Sequence, residues 1–181
     1  MKCVFIVLDT VRRDYLAGYG NDWVHTPSLT RLAERGITFD NHWVGSLPCM
    51  PARRELMTGR YNFVYRGWGP IEPYDDTLPG ELRKKEIFTH LLTDHYHYYE
   101  LGGENYHTAF NTWDFHRGQE NDWWASHVDR MALPDHLGQL SQQNFANRKR
   151  QQKEEDFSGP KTAQAAIEWL ENNKEADNWF L

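Results

Sequence analysis

Cys3-Val4-Phe5-Ile6-Val7-Leu8-Asp9-Thr10 begins as an uninterrupted apolar run and ends on a carboxylate and a hydroxyl. A run without polar alternation is the pattern of a strand covered on both faces in a parallel sheet, so a buried first strand is expected here. Asp9 then sits at the carboxyl end of a central strand, where open α/β sheets bind their ligands. The plainer alternative is an Asp that caps the next turn. The run is too short for a signal-peptide core, lacks a small-residue cleavage site and passes directly into charged residues, so it reads as structure rather than as a leader. Localisation is left open by this, with the cytoplasm as the default.

Working outward, Thr26-Pro27-Ser28 is a helix start, with Thr26 placed to accept a backbone N–H bond and Pro27 losing nothing at the first helical position. Leu29, Leu32 and Ala33 follow at helical spacing and Gly36 closes the element. Ile37 to Val44 reads as extended. A second start, Thr77-Leu78-Pro79, opens a helix carrying Leu82, after which Ile87 to Thr93 is apolar enough for a buried strand. Thr162 to Asn173 is an amphipathic helix with Ala163, Ala166, Ile167 and Leu170 on one stripe, and Trp179-Phe180-Leu181 reads as a further strand. Strands alternate with helices, so the class is α/β. Residues 139–160, rich in Gln, Lys and Glu, are expected to form an exposed or mobile excursion closed by Gly159-Pro160.

The chain has 181 residues, room for one domain with a real core, and Lys plus Arg number 20 against 26 Asp plus Glu, for a net charge of -6. That balance argues against a protein that embraces phosphate backbones, so no nucleic-acid partner is expected. Apolar residues never run for the roughly 18 positions of a spanning helix, so no membrane role is expected either. Cys3 and Cys49 are the only cysteines, which is not a disulfide framework, and both are expected as free thiols. Aromatic residues crowd between Trp113 and Trp124; such clusters pack cores more often than they form platforms for sugar rings.

Chemistry concentrates in Ser46-Leu47-Pro48-Cys49-Met50-Pro51-Ala52-Arg53-Arg54-Glu55-Leu56-Met57-Thr58-Gly59-Arg60. Pro51 favours the first turn of a helix and Ala52 to Met57 propagate it, so Cys49 is expected at a helix N-terminus. Backbone N–H groups and the positive end of the dipole stabilise an anion there and are expected to lower the thiol pKa. Arg53, one turn on, returns a guanidinium toward the same point. The bland reading is a small buried Cys beside a surface Arg. A Cys-x5-Arg phosphatase is excluded because that spacing from Cys49 falls on Glu55.

Cys49-x-Pro51-x-Arg53 followed by Leu56-Met57-Thr58-Gly59-Arg60 resembles the signature of type I sulfatases of the alkaline phosphatase superfamily. Leu8-Asp9-Thr10-Val11-Arg12-Arg13-Asp14, Gly18-Tyr19-Gly20 and the stretch from Thr26 to Phe39 resemble, in the same order, that family's first strand, metal loop, helix and next strand. The resemblance implies a doubly wound α/β domain, with residues 1–181 as the N-terminal part of a catalytic domain that is inactive by itself. It implies that a maturation enzyme oxidises Cys49 to formylglycine, whose hydrate attacks sulfur with one hydroxyl and expels sulfate by losing the other. It also implies a metal site at Asp9, Thr10 and Cys49, with Asp9 as its carboxylate ligand, calcium as the expected ion and manganese or magnesium as alternatives, and Arg53 as stabiliser of the nucleophile's oxygen. Thr10 departs from the second Asp that many sulfatases carry as a metal ligand, and related phosphonate or phosphate ester hydrolases often have a neutral residue there. The substrate implied is a small sulfate ester, a sulfated carbohydrate being one candidate.

Thr93-Asp94-His95-Tyr96-His97-Tyr98-Tyr99 stands where many sulfatases carry a Lys-x-His pair. Positions two apart in an extended chain face one side, so both histidines can address one pocket. The resemblance makes His97 the partner of the nucleophile's oxygen and His95 the substitute for the sulfate-contacting Lys. The bland alternative is two satisfied histidines, and a His-x-His zinc site lacks a further ligand cluster in the sequence. Gly102-Gly103-Glu104-Asn105-Tyr106-His107-Thr108 is a Gly-led loop in which His107 could touch a leaving group or a substrate hydroxyl, with a structural turn equally open. Arg117-Gly118-Gln119-Glu120 and the nearby tryptophans are candidates for an outer, substrate-selecting wall.

Overall fold

A computed structural model describes residues 1–62, 66–100, 105–128, 131–133 and 141–181. Four parallel strands, β1 (Lys2–Cys3), β2 (Phe88–Thr93), β3 (Thr112–Phe115) and β4 (Trp179–Phe180), form one sheet in the order β1-β4-β2-β3. Among the described residues five α-helices accompany them: α1 (Pro27–Arg35), α2 (Cys49–Thr58), α3 (Leu78–Lys84), α4 (Gln142–Arg148) and α5 (Ser158–Asn172). Because every pairing is parallel, the carboxyl ends of β1, β2 and β3 share one edge, and the chain segments leaving them carry Asp9, His95 with His97, and Glu120.

The first strand departs from expectation. Regular pairing covers only Lys2 and Cys3, extended by the Phe5 N–H to Leu181 bond at 2.7 Å and the Leu181 N–H to Cys3 bond at 2.9 Å. Val4 to Leu8 are exposed, Ile6 by 68%. Among the described residues β1 is an edge strand beside β4 rather than a central one, and Asp9 lies beyond its end; no layer of described residues covers its faces, so the apolar run lacks the cover its composition implies. The same holds for α1, whose Leu32 is 65% exposed. Pro27 does open α1, yet Thr26 makes no side-chain cap; its backbone oxygen instead accepts the Thr30 hydroxyl at 3.0 Å.

Where the core forms, it forms around the start of α2. Met50, Tyr98 and Tyr106 are buried together, with Cys49, Met57, Ile71, Leu91 and Tyr99 packed against them. Full burial of Met50 and Tyr106 contributes about 1.5–3 kcal/mol for a side chain of that size. Arg54 is buried as well and donates to the carbonyls of Gly67 at 2.8 Å and Pro70 at 3.0 Å. Asn62 donates to Ser46 and to the Pro51 carbonyl. These bonds tie the flanking loops to α2 and fix the helix that starts at Cys49. Gly59 ends it in the left-handed conformation at φ 66°, its N–H bonded to the Glu55 carbonyl at 2.8 Å.

α3 is capped as its sequence suggests, with the Thr77 hydroxyl accepting from the Gly80 N–H at 3.2 Å. The polar stretch expected to be an exposed excursion is partly ordered: α4 buries Gln143, Ala146 and Asn147. Its buried amides are satisfied, Gln143 donating to the Ala125 carbonyl and Asn147 to that of Asp122, so apolar content was the wrong indicator. Residues 139–140 lie outside the described residues. α5 starts earlier than expected because Pro160 belongs to its first turn, where a missing N–H costs nothing.

Candidate active site

Helix α2 begins at Cys49; Pro51 has no N–H and the Ala52 N–H bonds the Pro48 carbonyl at 3.2 Å, so the first-turn N–H groups without an intrahelical partner are those of Cys49 and Met50, and Arg53 stands one turn along. The Arg53 guanidinium donates from Nη2 to Asp9 Oδ2 at 3.1 Å and from Nη1 to the Tyr98 hydroxyl at 3.1 Å, with its carbon 5.3 Å from the Tyr98 ring. Asp9 leaves the β1 edge and is followed by Thr10 at φ 60°, whose hydroxyl donates to Asp9 Oδ1 at 2.8 Å. Both oxygens of Asp9 are therefore oriented. Burial works to raise the Asp9 pKa, but the bonds from Thr10 and Arg53 and the charge of Arg53 outweigh it and hold the carboxyl below its ordinary range.

One donor atom from each of Asp9, Cys49 and His95 lies within 4.8 Å of the others. His95 Nδ1 is 3.6 Å from Asp9 Oδ2 and 3.8 Å from Glu120 Oε1. Its side chain is only 1% exposed, and neither ring nitrogen has a hydrogen-bond partner among the described residues. Burial and the Arg53 charge push its pKa down to about 4, so the imidazole is neutral at neutral pH. The Cys49 thiol differs from expectation. Burial, then the carboxylates of Asp9 and Glu120, raise its pKa against Arg53, so the helix start does not yield a free thiolate.

His97 occupies a different setting. Its Nε2 meets Glu120 Oε2 at 2.5 Å and its Nδ1 meets Glu100 Oε2 at 2.7 Å, and Glu100 Oε1 accepts the Trp68 indole N–H at 2.9 Å. Contact with Glu120 and then Glu100 raises the His97 pKa to about 9 against the opposing effect of burial. The two histidines therefore share a pocket, ring centres 5.2 Å apart, but His95 is the one set against Asp9 and Cys49.

Glu120, expected in an outer wall with Arg117, Gly118 and Gln119, stands instead against His95 and His97. It adopts φ 53°, and the strap that presents it is heavily built. Asp122, fully buried, accepts from Arg117 Nε at 3.1 Å, Arg117 Nη2 at 2.7 Å and the Gly118 N–H at 2.9 Å. Asn144 donates to the Glu120 carbonyl and Gln151 to that of Gly118. Tyr98, quoted with the histidines but given no role from sequence, is the second anchor of Arg53. His107 lies elsewhere, stacked on Tyr99 at 4.5 Å and edge-on to Trp113 at 5.0 Å. Gly102, Gly103 and Glu104 of its loop lie outside the described residues. The tryptophans do not form one face: Trp113 meets His107, Trp123 is 73% exposed, and Trp124 lies under Arg150 and Lys161.

The family model described as Sulfatase matches residues 2–181. The chain is 36% identical over 77 residues to a multifunctional alkaline phosphatase superfamily protein of Trinickia caryophylli, a match covering 40% of this chain and 15% of that protein. It is 46% identical over 43 residues to an ulvan-active sulfatase of Formosa agariphila, covering 24% of this chain and 9% of that protein. It is 30% identical over 117 residues to a choline-sulfatase of Rhizobium meliloti, covering 57% of this chain and 23% of that protein. The chain thus spans a minor part of the length of the curated relatives it matches. No solved structure matches it at a significant level.

Proposed function

The chain belongs to the sulfatase family, and from that membership we propose that it is the nucleophile-bearing part of a sulfuric ester hydrolase in which a maturation enzyme converts Cys49 to formylglycine. The observation that carries the reading is the meeting of Asp9, Cys49 and His95 beside the Arg53 guanidinium at the mouth of α2. A raised thiol pKa speaks against Cys49 acting as a thiolate and fits a residue destined for other chemistry. Formylglycine supplies a geminal diol, one hydroxyl to attack sulfur and the other to release sulfate.

Asp9 and residue 49 would hold a divalent cation, whose charge lowers the cost of bringing an anionic ester against a nucleophile. The donors present fit such an ion: the oriented carboxylate of Asp9 and, once Cys49 is oxidised, an oxygen at position 49. Calcium is the expected ion, with manganese or magnesium as alternatives. Thr10 spends its hydroxyl proton on Asp9 Oδ1 and orients that carboxylate in place of a second acidic ligand.

Arg53, fixed at both ends by Asp9 and Tyr98, offers a positive charge that needs no reorganisation as negative charge develops at the helix mouth. His95, neutral and facing Cys49, takes the hydrogen-bonding position at the nucleophile's oxygen. His97, clamped by Glu120 and Glu100 at its two ring nitrogens, stays protonated and keeps a positive charge beside the site. The substrate is a small sulfate ester, with a sulfated carbohydrate as one class.

A second reading, a phosphonate or phosphate ester hydrolase, is favoured by the neutral Thr10 and by the similarity to a multifunctional alkaline phosphatase superfamily protein. Turnover of matched aryl sulfate and aryl phosphonate esters by the matured protein decides between them. A sulfate preference abolished by Cys49→Ala is expected. A large phosphonate preference would transfer the assignment to the second reading, and turnover unaffected by Cys49→Ala would end both.

A further inference from the structure

The unmodified thiol gives this pocket a second chemistry. We infer that, before maturation, Asp9, Cys49 and His95 form a three-donor site for zinc or a similar transition ion. The inference uses the same pocket as the proposed hydrolase but not its formylglycine, so the two can fail separately.

Three observations support it. The donor set is one carboxylate oxygen, one sulfur and one imidazole nitrogen, all within 4.8 Å of one another. Carboxylate, thiolate and imidazole are the ligands zinc takes, with three protein donors and a water in the fourth position as a recurrent arrangement. The 3.6 Å between His95 Nδ1 and Asp9 Oδ2 is close to the roughly 3.3 Å that separates two ligands about 2.0 Å from a tetrahedral zinc. Most telling, His95 is 1% exposed with both ring nitrogens unpartnered among the described residues. A buried imidazole left without partners is costly, and an ion between it, the carboxylate and the sulfur would satisfy it.

Charge is consistent with the site. Asp9, a Cys49 thiolate and Glu120, 3.8 Å from His95, offset a dication beside Arg53. Binding replaces the S–H proton by the metal, and the proton leaves to solvent. Calcium gains little here, because sulfur and nitrogen are poor donors for a hard cation. Oxidation of Cys49 removes the sulfur, so the zinc site and the mature nucleophile exclude each other.

The test uses the 181-residue chain with its thiol intact, checked by mass, reduced with a phosphine that does not compete for metal. Titration with Co2+ should give a thiolate-to-metal charge-transfer band saturating at one ion per chain. That band should vanish in Cys49→Ser and persist in Cys3→Ser. His95→Gln should weaken Zn2+ binding at least ten-fold in competition with a chromophoric chelator. Because His95 is buried and its replacement risks the fold, a wild-type measurement runs alongside: Zn2+ should slow alkylation of Cys49 at least ten-fold while Ca2+ does not. A missing charge-transfer band, or alkylation indifferent to Zn2+, overturns the inference and leaves the formylglycine reading to its own mass measurement. Equal protection by Ca2+ and Zn2+ overturns it as well.

Discussion

Asp122→Asn removes a charge and little else, at a side chain with no exposure that anchors the strap presenting Glu120. In the native chain Oδ1 accepts from Arg117 Nη2 at 2.7 Å, and Oδ2 accepts from Arg117 Nε at 3.1 Å and from the Gly118 N–H at 2.9 Å. An amide must turn its NH2 toward one of these positions, so a donor faces a donor whichever way it is placed. A hydrogen bond to a charged group contributes about 1.5–3 kcal/mol, and a buried group left unpaired costs about 1–3 kcal/mol. Arg117 is 42% exposed and regains water, which removes part of that loss. The net cost is about 2–3 kcal/mol. For a chain of this size that lowers Tm by roughly 4–12 °C. Differential scanning calorimetry measures it, with Lys153→Ala as control. The Lys153–Glu155 pair is 72% and 75% exposed and should contribute less than about 1 kcal/mol. An Asp122→Asn protein melting within about 2 °C of the parent would refute the view that this buried carboxylate organises the strap.

Three further outcomes follow from the geometry. Thr77→Ala removes the acceptor for the Gly80 N–H at the start of α3 and should cost about 1 kcal/mol in urea unfolding. Asp75 is held below the ordinary carboxylate range by two bonds from Arg66, at 2.7 and 2.6 Å, against the opposing effect of burial. A depressed carboxyl stabilises the fold above its unfolded pKa of about 4 and loses that contribution as pH falls through its folded pKa. Unfolding free energy should therefore decline below about pH 4 more steeply in the parent than in Asp75→Asn, and parallel curves would contradict it. In the matured protein, Arg53→Ala should lower kcat about 10²–10³-fold while the fold, followed by circular dichroism, is retained. A kcat within about three-fold of the parent would remove Arg53 from the proposed machinery.

The legible parts of the fold were those written in local chemistry. Pro27, Pro51 and Thr77 mark helix starts by fixed backbone geometry, and α1, α2 and α3 lie where those signals put them. Cys49 and Arg53 were legible because a helix's first turn directs both to one point, whereas Asp9, expected at a strand end, lies beyond the end of β1 and is placed by its bond from Arg53. Burial was less legible. The apolar run Val4 to Leu8 asks for cover on both faces, but cover is a property of neighbouring layers. Helix α4 was hidden for the converse reason, because Gln143 and Asn147 are buried through hydrogen bonds that composition does not record. Strand β3, Thr112–Phe115, is a short segment inside a tract dominated by its tryptophans. Glu120 had the weakest signal: it lies far along the chain from His97 at a positive φ that favours Gly or Asn, and only the Asp122 scaffold delivers it to the histidines.

Mass spectrometry of the peptide spanning Cys49, from protein produced together with a formylglycine-generating enzyme, tests the identity of the nucleophile most directly. Replacement of CH2SH by CHO should lower the peptide mass by roughly 18 units, and the shifted fraction should rise in step with sulfate ester turnover. A fully active preparation whose Cys49 peptide carries only the unshifted thiol would contradict the assignment.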